Sequence, residues 1–299
     1  MHPSHVAAWA RVLRHTSPRP LAVAACVCRD WAAAVHYLRA RDVADGTEGV
    51  ALLACTAAAA TELRAQFQYT HASSGAAADA EDVCGGGCSC EGDVCDTELC
   101  ECSRREEPRD VLSQPAEVPQ LECGPACSCG TRCPNRATQQ RITVPLSLRH
   151  TRDRGWAVVC DVALPPGRFV CTYAGEVISR DEASRRLSAQ DASGAGNYIM
   201  VLREHAGERT FTTCVDPSRV GNVGRFLNHA CDGGNLELRA VRAAGWPVPR
   251  PSFFTRRRVN VGEELKYAYG TASSGARGNR TCHCRTAACV GFLPFDNVL

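Results

Sequence analysis

Nine cysteines in two short blocks carry the most specific chemistry of this 299-residue chain. Their close spacing brings many thiols together, which suits a thiolate cluster around metal better than a set of disulfides. Six terminal and three bridging sulfurs would supply the twelve coordination positions that three tetrahedral zinc ions need. The nine residues are Cys88, Cys90, Cys95, Cys100, Cys102, Cys123, Cys127, Cys129 and Cys133.

A disulfide framework is the alternative, because the chain has 20 cysteines, an even number, and secreted domains are dense in cysteine. Against it, the only candidate for a signal peptide is the apolar run at 21–28, which is short, begins late and is flanked by Arg19 and Arg29. No apolar stretch approaches the ~20 residues of a membrane span, so we expect no membrane partner. We expect zinc binding in a reducing compartment, the cytosol or the nucleus.

The charge is unevenly distributed, although the net charge of the chain is only +2. Residues 84–133 carry 4 basic and 10 acidic groups, a net charge of −6, whereas residues 134–299 carry 23 and 14, a net charge of +9. The C-terminal part could therefore approach an anionic surface such as nucleosomal DNA. A solvated arginine-rich face explains the same pattern equally well.

The elements that must position these groups fall into four segments. Residues 1–66 are rich in alanine and helical in pattern, and residues 67–142 hold the cysteine blocks. Residues 143–270 have the pattern of a compact domain with short strands, and residues 271–299 begin with a Gly/Ser-rich linker and end in a second cysteine group.

The third segment contains clear local signals. Strands are predicted at 169–173, 198–202 and 211–215, where β-branched and aromatic residues concentrate. A short helix is predicted at 181–190, because its apolar residues recur on one face.

Three motifs follow the cysteine blocks in order: Arg154-Gly155-Trp156 before a strand, GRFLNHAC at 224–231 and GEELKYAYG at 262–270. Together they resemble the SET domain of protein-lysine methyltransferases, and the flanking cysteine groups resemble its pre-SET and post-SET zinc modules. The resemblance covers residues 67–299. It implies a mainly β fold of small curved sheets, with the 224–231 segment threaded under the 262–270 segment in a knot-like arrangement.

The resemblance implies that the chain transfers methyl groups from S-adenosylmethionine to a lysine of histone H3, with lysine 36 favoured and lysine 9 next. Tyr269 is the expected catalytic residue, because its hydroxyl would position amine and methyl group. Tyr267 is the second catalytic residue, since a hydroxyl there leaves less room for a third methyl group. The residues expected to hold the cofactor are Arg154, Gly155, Trp156, Tyr198, Arg225, Phe226, Asn228, His229 and His283.

The resemblance also implies a fourth zinc ion, which would clamp the post-SET tail over the active site. Its expected ligands are Cys231, Cys282, Cys284 and Cys289. The remaining cysteines are expected to be small core or surface thiols. They are Cys26, Cys28, Cys55, Cys84, Cys160, Cys171 and Cys214.

Two departures from the family pattern leave a second function open. Ala268 stands where an acidic residue is usual, and Gly233-Gly234 replaces a usual proline with a turn expected to be more flexible. The alternative is therefore a catalytically weak or inactive zinc-stabilised module that binds chromatin. Either function predicts a nuclear protein whose partner is the histone H3 tail or the nucleosome.

The first 66 residues lie outside the resemblance. Residues 21–31 faintly resemble the second half of an F-box, which would form an adaptor-binding helix pair. An alanine-rich helix that packs on the body, or a disordered segment, is the plainer interpretation.

Overall fold

The computed structural model describes residues 51–53, 68–75, 86–96, 99–103, 119–140, 142–193, 196–206, 208–270 and 277–294. None of the helices in these ranges is long and apolar enough to span a membrane. The F-box-like stretch at 21–31 lies outside the described residues. So do Cys26, Cys28, Cys55 and Cys84.

The described residues form short strands of two to eight residues and one α-helix. In chain order these are β1 (Ala51–Leu53), β2 (Gln68–Tyr69), β3 (Gln120–Glu122), β4 (Leu146–Thr151), β5 (Gly155–Cys160), β6 (Phe169–Thr172), β7 (Glu176–Ile178), α1 (Arg180–Ser193), β8 (Met200–Ala206), β9 (Arg209–Asp216), β10 (Val220–Gly221), β11 (Asn228–His229), β12 (Leu236–Ala243), β13 (Arg250–Thr255), β14 (Lys266–Tyr267), β15 (Arg277–Thr281) and β16 (Phe292–Pro294). Two 3₁₀ helices span Pro134–Gln139 and Val223–Phe226.

Three sheets of three or four strands make the body of the molecule. Their strand orders are β1-β4-β5, β3-β12-β13-β6 and β7-β9-β8. The core contains Val158, Leu227, Phe253 and Leu265, whose exposed fractions are 2% or less. Each such side chain contributes about 1.5–3 kcal/mol by leaving water, so the sheets are held by apolar burial rather than by long strand pairings.

The hairpin of β4 and β5 presents the first of the three motifs. Thr151 pairs with Gly155 across a three-residue loop, and the Thr151 hydroxyl donates to the Gly155 carbonyl at 2.8 Å. Gly155 has φ +69°, a left-handed conformation that closes three-residue hairpin loops and favours glycine. The loop therefore places Arg154 and Trp156 on either side of a fixed glycine.

The other two motifs meet as a parallel pair of strands. In β11 and β14, Asn228 is opposite Lys266 and His229 is opposite Tyr267. The adjoining Gly233 and Gly234 both have positive φ, and a Cβ added to Gly234 would lie 2.2 Å from the Lys266 carbonyl oxygen. The geometry thus gives the double glycine a different role from the expected flexibility, because Gly234 permits close approach of two backbones.

Residues 68–75, which the sequence assigned to the segment of the cysteine blocks, lie along the sheets of the body instead. The Thr70 amide donates to the Gly221 carbonyl at 2.7 Å, and the Val177 amide donates to the Ser74 carbonyl at 2.7 Å. The segment adds backbone hydrogen bonds to β7 and β10, so it stabilises the region that follows β6.

The cysteine-rich module is joined to the body through close backbone contacts, and one buried guanidinium holds the module together internally. The Ala126 amide donates to the Ala244 carbonyl, and a Cβ on Gly124 would lie 1.9 Å from that same oxygen. Arg136 is buried and donates to the carbonyls of Gly124 and Cys129 at 2.8 and 2.9 Å. The module therefore packs directly against the sheets of the body.

The mainly β fold of small sheets is confirmed, as are the strands predicted near 169–173 and 211–215 and the helix at 181–190. The strand predicted from residue 198 begins only at Met200, because the Asn197 side chain accepts from the Ile199 amide in a local turn. The helical prediction for residues 1–66 is wrong at β1, where three residues pair with the edge of β4. Tertiary pairing overrides the helix propensity of alanine and leucine there.

Candidate active site

A continuous row of aromatic rings runs from the core to the surface next to the β11–β14 pair. The ring centroids of Tyr173 and Phe253 are 6.3 Å apart, those of Phe253 and Tyr267 4.6 Å, and those of Tyr267 and Tyr269 4.9 Å. Tyr267 is 8% exposed, whereas Tyr269 is 43% exposed and ends the row at the surface. The arrangement can line a narrow slot for an aliphatic chain, and it disfavours a charged group inside.

The hydroxyl of Tyr269 is directed inward, although much of the residue is accessible. It donates to the Leu227 carbonyl at 2.7 Å, which fixes the ring and keeps the oxygen lone pairs available to a ligand. Burial of the hydroxyl raises the pKa values of Tyr267 and Tyr269 above 10. Both groups therefore stay protonated at neutral pH, which favours positioning and excludes a phenolate base.

His229 fixes the backbone of Tyr269 rather than acting on a ligand as a base. Its Nδ1 accepts from the Tyr269 amide at 3.2 Å, and its Nε2 lies 3.2 Å from the sulfur of Cys231. This pattern requires a neutral ring with the proton on Nε2, and burial lowers the pKa of His229, which favours the same form. Both ring nitrogens of His229 are therefore engaged within the protein, which leaves the residue out of acid–base chemistry on a ligand.

Glu264 is a positioning residue that the sequence analysis missed. Its carboxylate forms a bidentate ion pair with Arg154 at 2.7 and 2.8 Å and accepts from the Asn228 amide nitrogen at 2.9 Å. The same nitrogen donates to the Trp156 carbonyl at 3.2 Å. The carbonyl oxygen of the Asn228 side chain is thus the end that a ligand can use. The signal was available, since Glu264 belongs to the GEELKYAYG motif.

If the motifs hold S-adenosylmethionine, as their resemblance implies, replacement of Glu264 with glutamine is expected to raise its Kd about tenfold, equivalent to about 1.4 kcal/mol. The change removes the charge that holds Arg154 and puts an amide group against the amide of Asn228. Isothermal titration calorimetry measures the effect. The neighbouring Glu263→Gln variant is the control, since Glu263 pairs with Arg257. Equal Kd values for wild type and Glu264→Gln would contradict the assigned role.

Arg225 of the second motif packs against the ring of Tyr198. The Arg225 guanidinium carbon lies 4.2 Å from the centroid of the Tyr198 ring, and the same guanidinium donates to the carbonyls of Pro217 and Ser218 at 2.9 Å. The hydroxyl of Tyr173 donates to the Tyr198 carbonyl at 2.5 Å. Stacking on a held guanidinium fixes the Tyr198 ring, as required of a wall that packs against a flat ligand.

Eight of the nine predicted pre-SET ligands form three overlapping groups of thiols, in which all sulfur atoms lie within 4.8 Å of one another. Cys123 belongs to all three groups, and Cys88 and Cys95 each belong to two. The sulfurs of these three residues are 3.6–3.8 Å apart. Cys90 joins none of the groups. The groups are Cys88/Cys95/Cys100/Cys123, Cys88/Cys102/Cys123/Cys127 and Cys95/Cys123/Cys129/Cys133.

The chemistry of these thiols fits zinc. Burial raises the pKa values of Cys88, Cys95 and Cys123 well above 9, so their thiolates form only when a cation compensates the charge. Soft, closely spaced sulfur ligands in tetrahedral number select zinc among the common metals. Three shared and five terminal sulfurs make up the three groups.

A fourth group of thiols joins the middle of the chain to its C-terminal tail. Its sulfurs also lie within 4.8 Å of one another. Arg285, between two of its members, pairs with Asp153 in the β4–β5 loop. The tail therefore lies against the first motif. The members of the group are Cys231, Cys282, Cys284 and Cys289.

The structure brings most of the predicted site residues together. Trp156, Asn228 and Arg154 share the Glu264 network, while Tyr267, Tyr269 and His229 share the aromatic row. Phe226 is buried, and His283 is exposed between two cysteines of the fourth group. The thiols of Cys160, Cys171 and Cys214 are buried in the body, as expected of small core residues.

Comparison with known proteins identifies a family model, curated relatives and a solved structure that resemble this chain. The model of the SET domain matches residues 155–270. The histone-lysine N-methyltransferase SETMAR of Bos taurus is 34% identical over 86% of this chain and 90% of its own length. SUVR3, a histone-lysine N-methyltransferase of Arabidopsis thaliana, is 36% identical over 66% of this chain, which spans only 59% of that relative. The crystal structure of the methyltransferase domain of human SETMAR superposes with a TM-score of 0.70 at 34% identity, covering 86% of this chain and 98% of that one.

Proposed function

Because the chain belongs to the SET-domain histone-lysine N-methyltransferases, we propose that it transfers methyl groups from S-adenosylmethionine to a lysine side chain of histone H3. The observation that carries the proposal is the aromatic row that ends at Tyr269, beside Asn228 and His229. The decisive experiment is a methylation assay on a histone peptide array with purified, zinc-loaded protein. Absence of methyl transfer to every lysine of histone H3 would overturn the proposal.

The residues that would hold S-adenosylmethionine come from the first two motifs, from Tyr198 and from the C-terminal tail. When bound, the cofactor supplies a methyl group that its positive sulfur already activates. The loop at Arg154, Gly155 and Trp156 would cradle its nucleoside, and the oxygen of the Asn228 side chain would accept from its amine. Tyr198 and Arg225 would pack against it with Phe226, and His283 would reach its adenine from the tail.

The slot solves the main difficulty of the reaction, which is the charge on lysine. An amine with a pKa of ~10.4 costs about 4–5 kcal/mol to deprotonate at pH 7. The rings of Tyr173, Phe253 and Tyr267 make an environment that disfavours the ammonium form and so lowers this cost. The hydroxyl of Tyr269, held by the Leu227 carbonyl, would then orient the neutral amine for in-line attack.

The product is expected to be mono- and dimethyl-lysine, because the hydroxyl of the buried Tyr267 occupies space beside the amine. Its replacement with phenylalanine should shift the product toward trimethyl-lysine, since the space of one oxygen is released. Mass spectrometry of a histone H3 peptide at full conversion measures the distribution. A dominant trimethyl product from the wild type, or an unchanged distribution in Tyr267→Phe, would contradict this role.

Lysine 36 of histone H3 is the proposed target, supported by the likeness to SETMAR, and lysine 9 is the next candidate, supported by the wider pre-SET family. Peptides that cover each lysine, with the target lysine replaced by arginine as the control, distinguish the two. Action on this substrate places the protein in the nucleus at chromatin. Contact with nucleosomal DNA is part of the same proposal, supported by the net charge of +9 over residues 134–299.

We propose three zinc ions in the pre-SET cluster and one in the post-SET site. The overlap of the thiol groups supports Cys88, Cys95 and Cys123 as the bridging ligands. The site between Cys88 and Cys95 would then take Cys90 and Cys100 as its terminal ligands. Metal binding at such sites contributes on the order of 10 kcal/mol to folding, enough to hold a module with few apolar residues.

An inactive chromatin-binding module is the second candidate, because Ala268 occupies the usual position of an acidic residue. Ala268 is exposed, and the network of Glu264 with Arg154 and Asn228 is complete without it. Calorimetry separates the two functions, since an inactive module that has lost its cofactor site gives no heat with S-adenosylmethionine.

A further inference from the structure

Four exposed arginines cluster where β13 ends and β6 begins. Arg256, Arg257 and Arg258 directly follow the buried end of β13, and all three are exposed. Arg168, also exposed, is held beside them because the Thr255 amide donates to its carbonyl at 3.0 Å. We call these four residues the arginine cluster.

The cluster is only partly neutralised by acidic groups. Arg257 pairs with Glu263 at 2.7 Å, and Arg168 donates to the Thr143 hydroxyl. Within the described part of the chain, Arg256 and Arg258 have no carboxylate within ion-pair distance. By contrast, Arg154, Arg186 and Arg242 are each paired with acidic groups. Neighbouring uncompensated cations create a local positive potential that attracts an anionic partner.

The guanidinium of Arg256 is held at the active-site side of the cluster. Its Nη1 lies against Gly233. A Cβ added to Gly233 would be only 2.2 Å from this nitrogen. The Arg256 amide donates to the Asn235 carbonyl, and the Asn235 amide donates to the Lys266 carbonyl. Two backbone hydrogen bonds thus connect the cluster to the strand that carries Tyr267, so the cluster lies close to the slot for the substrate lysine.

We infer that the arginine cluster is a contact surface for the phosphate backbone of nucleosomal DNA. The inference rests on the proposed function, because a histone tail reaches the slot from a particle wrapped in DNA. Arginine suits this task, since its planar fork can donate two hydrogen bonds to one phosphate. Phosphate contacts carry no base sequence, so the surface increases affinity and orients the enzyme without selecting a DNA sequence.

The test compares two double variants of equal net charge, Arg256→Ala/Arg258→Ala and Arg149→Ala/Arg185→Ala. Arg149 and Arg185 are also exposed but lie outside the cluster. Fluorescence anisotropy with a labelled DNA duplex and with mononucleosomes, at several salt concentrations and without cofactor, gives Kd and its salt dependence. The cluster variant should bind both about tenfold more weakly at low salt, with the slope of log K against log salt reduced by about 2, one for each arginine.

The control variant should retain the wild-type Kd and slope, and Arg256→Lys/Arg258→Lys should retain the slope. Activity on a free H3 peptide should be unchanged in all variants, and thermal melting confirms that they fold. Equal slopes in the cluster and control variants would overturn the inference. Weaker binding to nucleosomes but not to the duplex would overturn it in favour of a protein surface. The binding assay does not depend on methyl transfer. Failure of the proposed function would therefore be seen separately, as a protein that is inactive on every peptide.

Discussion

Replacing Tyr269 with phenylalanine is expected to lower kcat for methyl transfer at least 100-fold, about 2.7 kcal/mol in the activation barrier, while the Kd for S-adenosylmethionine changes less than about twofold. The ring remains to pack against Tyr267, but the hydroxyl that would orient the amine at the open end of the slot is lost. A positioned hydrogen bond that acts in the transition state changes kcat rather than binding.

The direction of this effect follows from the protonation state of the hydroxyl. Its pKa is raised by burial, and it donates to the Leu227 carbonyl, so it acts as a fixed dipole with its lone pairs toward the slot. Raising the pH should therefore increase the rate of wild type and variant in parallel, because the substrate amine is the group that titrates. A rate that depended on a tyrosinate would rise only in the wild type.

Tyr267→Phe is the matched control for Tyr269→Phe, because both variants remove one hydroxyl from adjacent rings 4.9 Å apart. Single-turnover kinetics with an H3 peptide should show the first methyl transfer nearly unchanged in Tyr267→Phe and strongly slowed in Tyr269→Phe. Calorimetry with S-adenosylhomocysteine checks that both retain the cofactor site. Similar rates in the two variants would remove Tyr269 from its catalytic role.

Reactive residues that lie in recognisable motifs could be predicted from the sequence. The residues that pack against them and hold them in place could not. Tyr267 and Tyr269 follow from the GEELKYAYG motif, through its resemblance to the corresponding segment of SET domains. Phe253 gives no such signal, because an aromatic residue in a strand is usually a core residue. Its place in the slot depends on how β13 packs against β14, a contact between distant segments.

Cysteine spacing predicted that the thiols cluster, but not which of them lie at the centre of the cluster and which lie at its edge. That division depends on which sulfurs meet at the centre when the two blocks fold together, and the loop between them leaves many arrangements open. Cys123, in the second block, is central because its sulfur lies 3.8 Å from the sulfurs of Cys88, Cys95 and Cys100 in the first block. The requirement for glycine at position 234 could not be predicted for the same reason. It arises from the close approach of the Lys266 carbonyl, which only the folded structure shows.

Replacing Cys123 with serine should remove the zinc of the whole pre-SET cluster, because its sulfur would bridge two of the three sites, and the third site shares a bridging sulfur with each of them. Loss of a ligand shared by the sites forfeits folding free energy on the order of 10 kcal/mol, comparable to the total stability of a domain. We expect a protein that contains at most the post-SET zinc and unfolds at the temperature of purification or just above it. Zinc analysis by mass spectrometry and thermal melting measure both effects.

Cys289→Ser should behave differently, because the post-SET site clamps a tail and does not hold a module together. We expect the loss of one zinc ion of four, a melting curve close to that of the wild type, and at least a tenfold weaker Kd for S-adenosylmethionine as the tail leaves the β4–β5 loop. Cys214→Ser is the control, since Cys214 is buried outside the thiol groups and should leave four zinc ions and activity intact.

If Cys123→Ser kept three or more zinc ions per chain, the shared-sulfur arrangement would be wrong. If Cys289→Ser bound the cofactor like the wild type, the tail would not close the cofactor site.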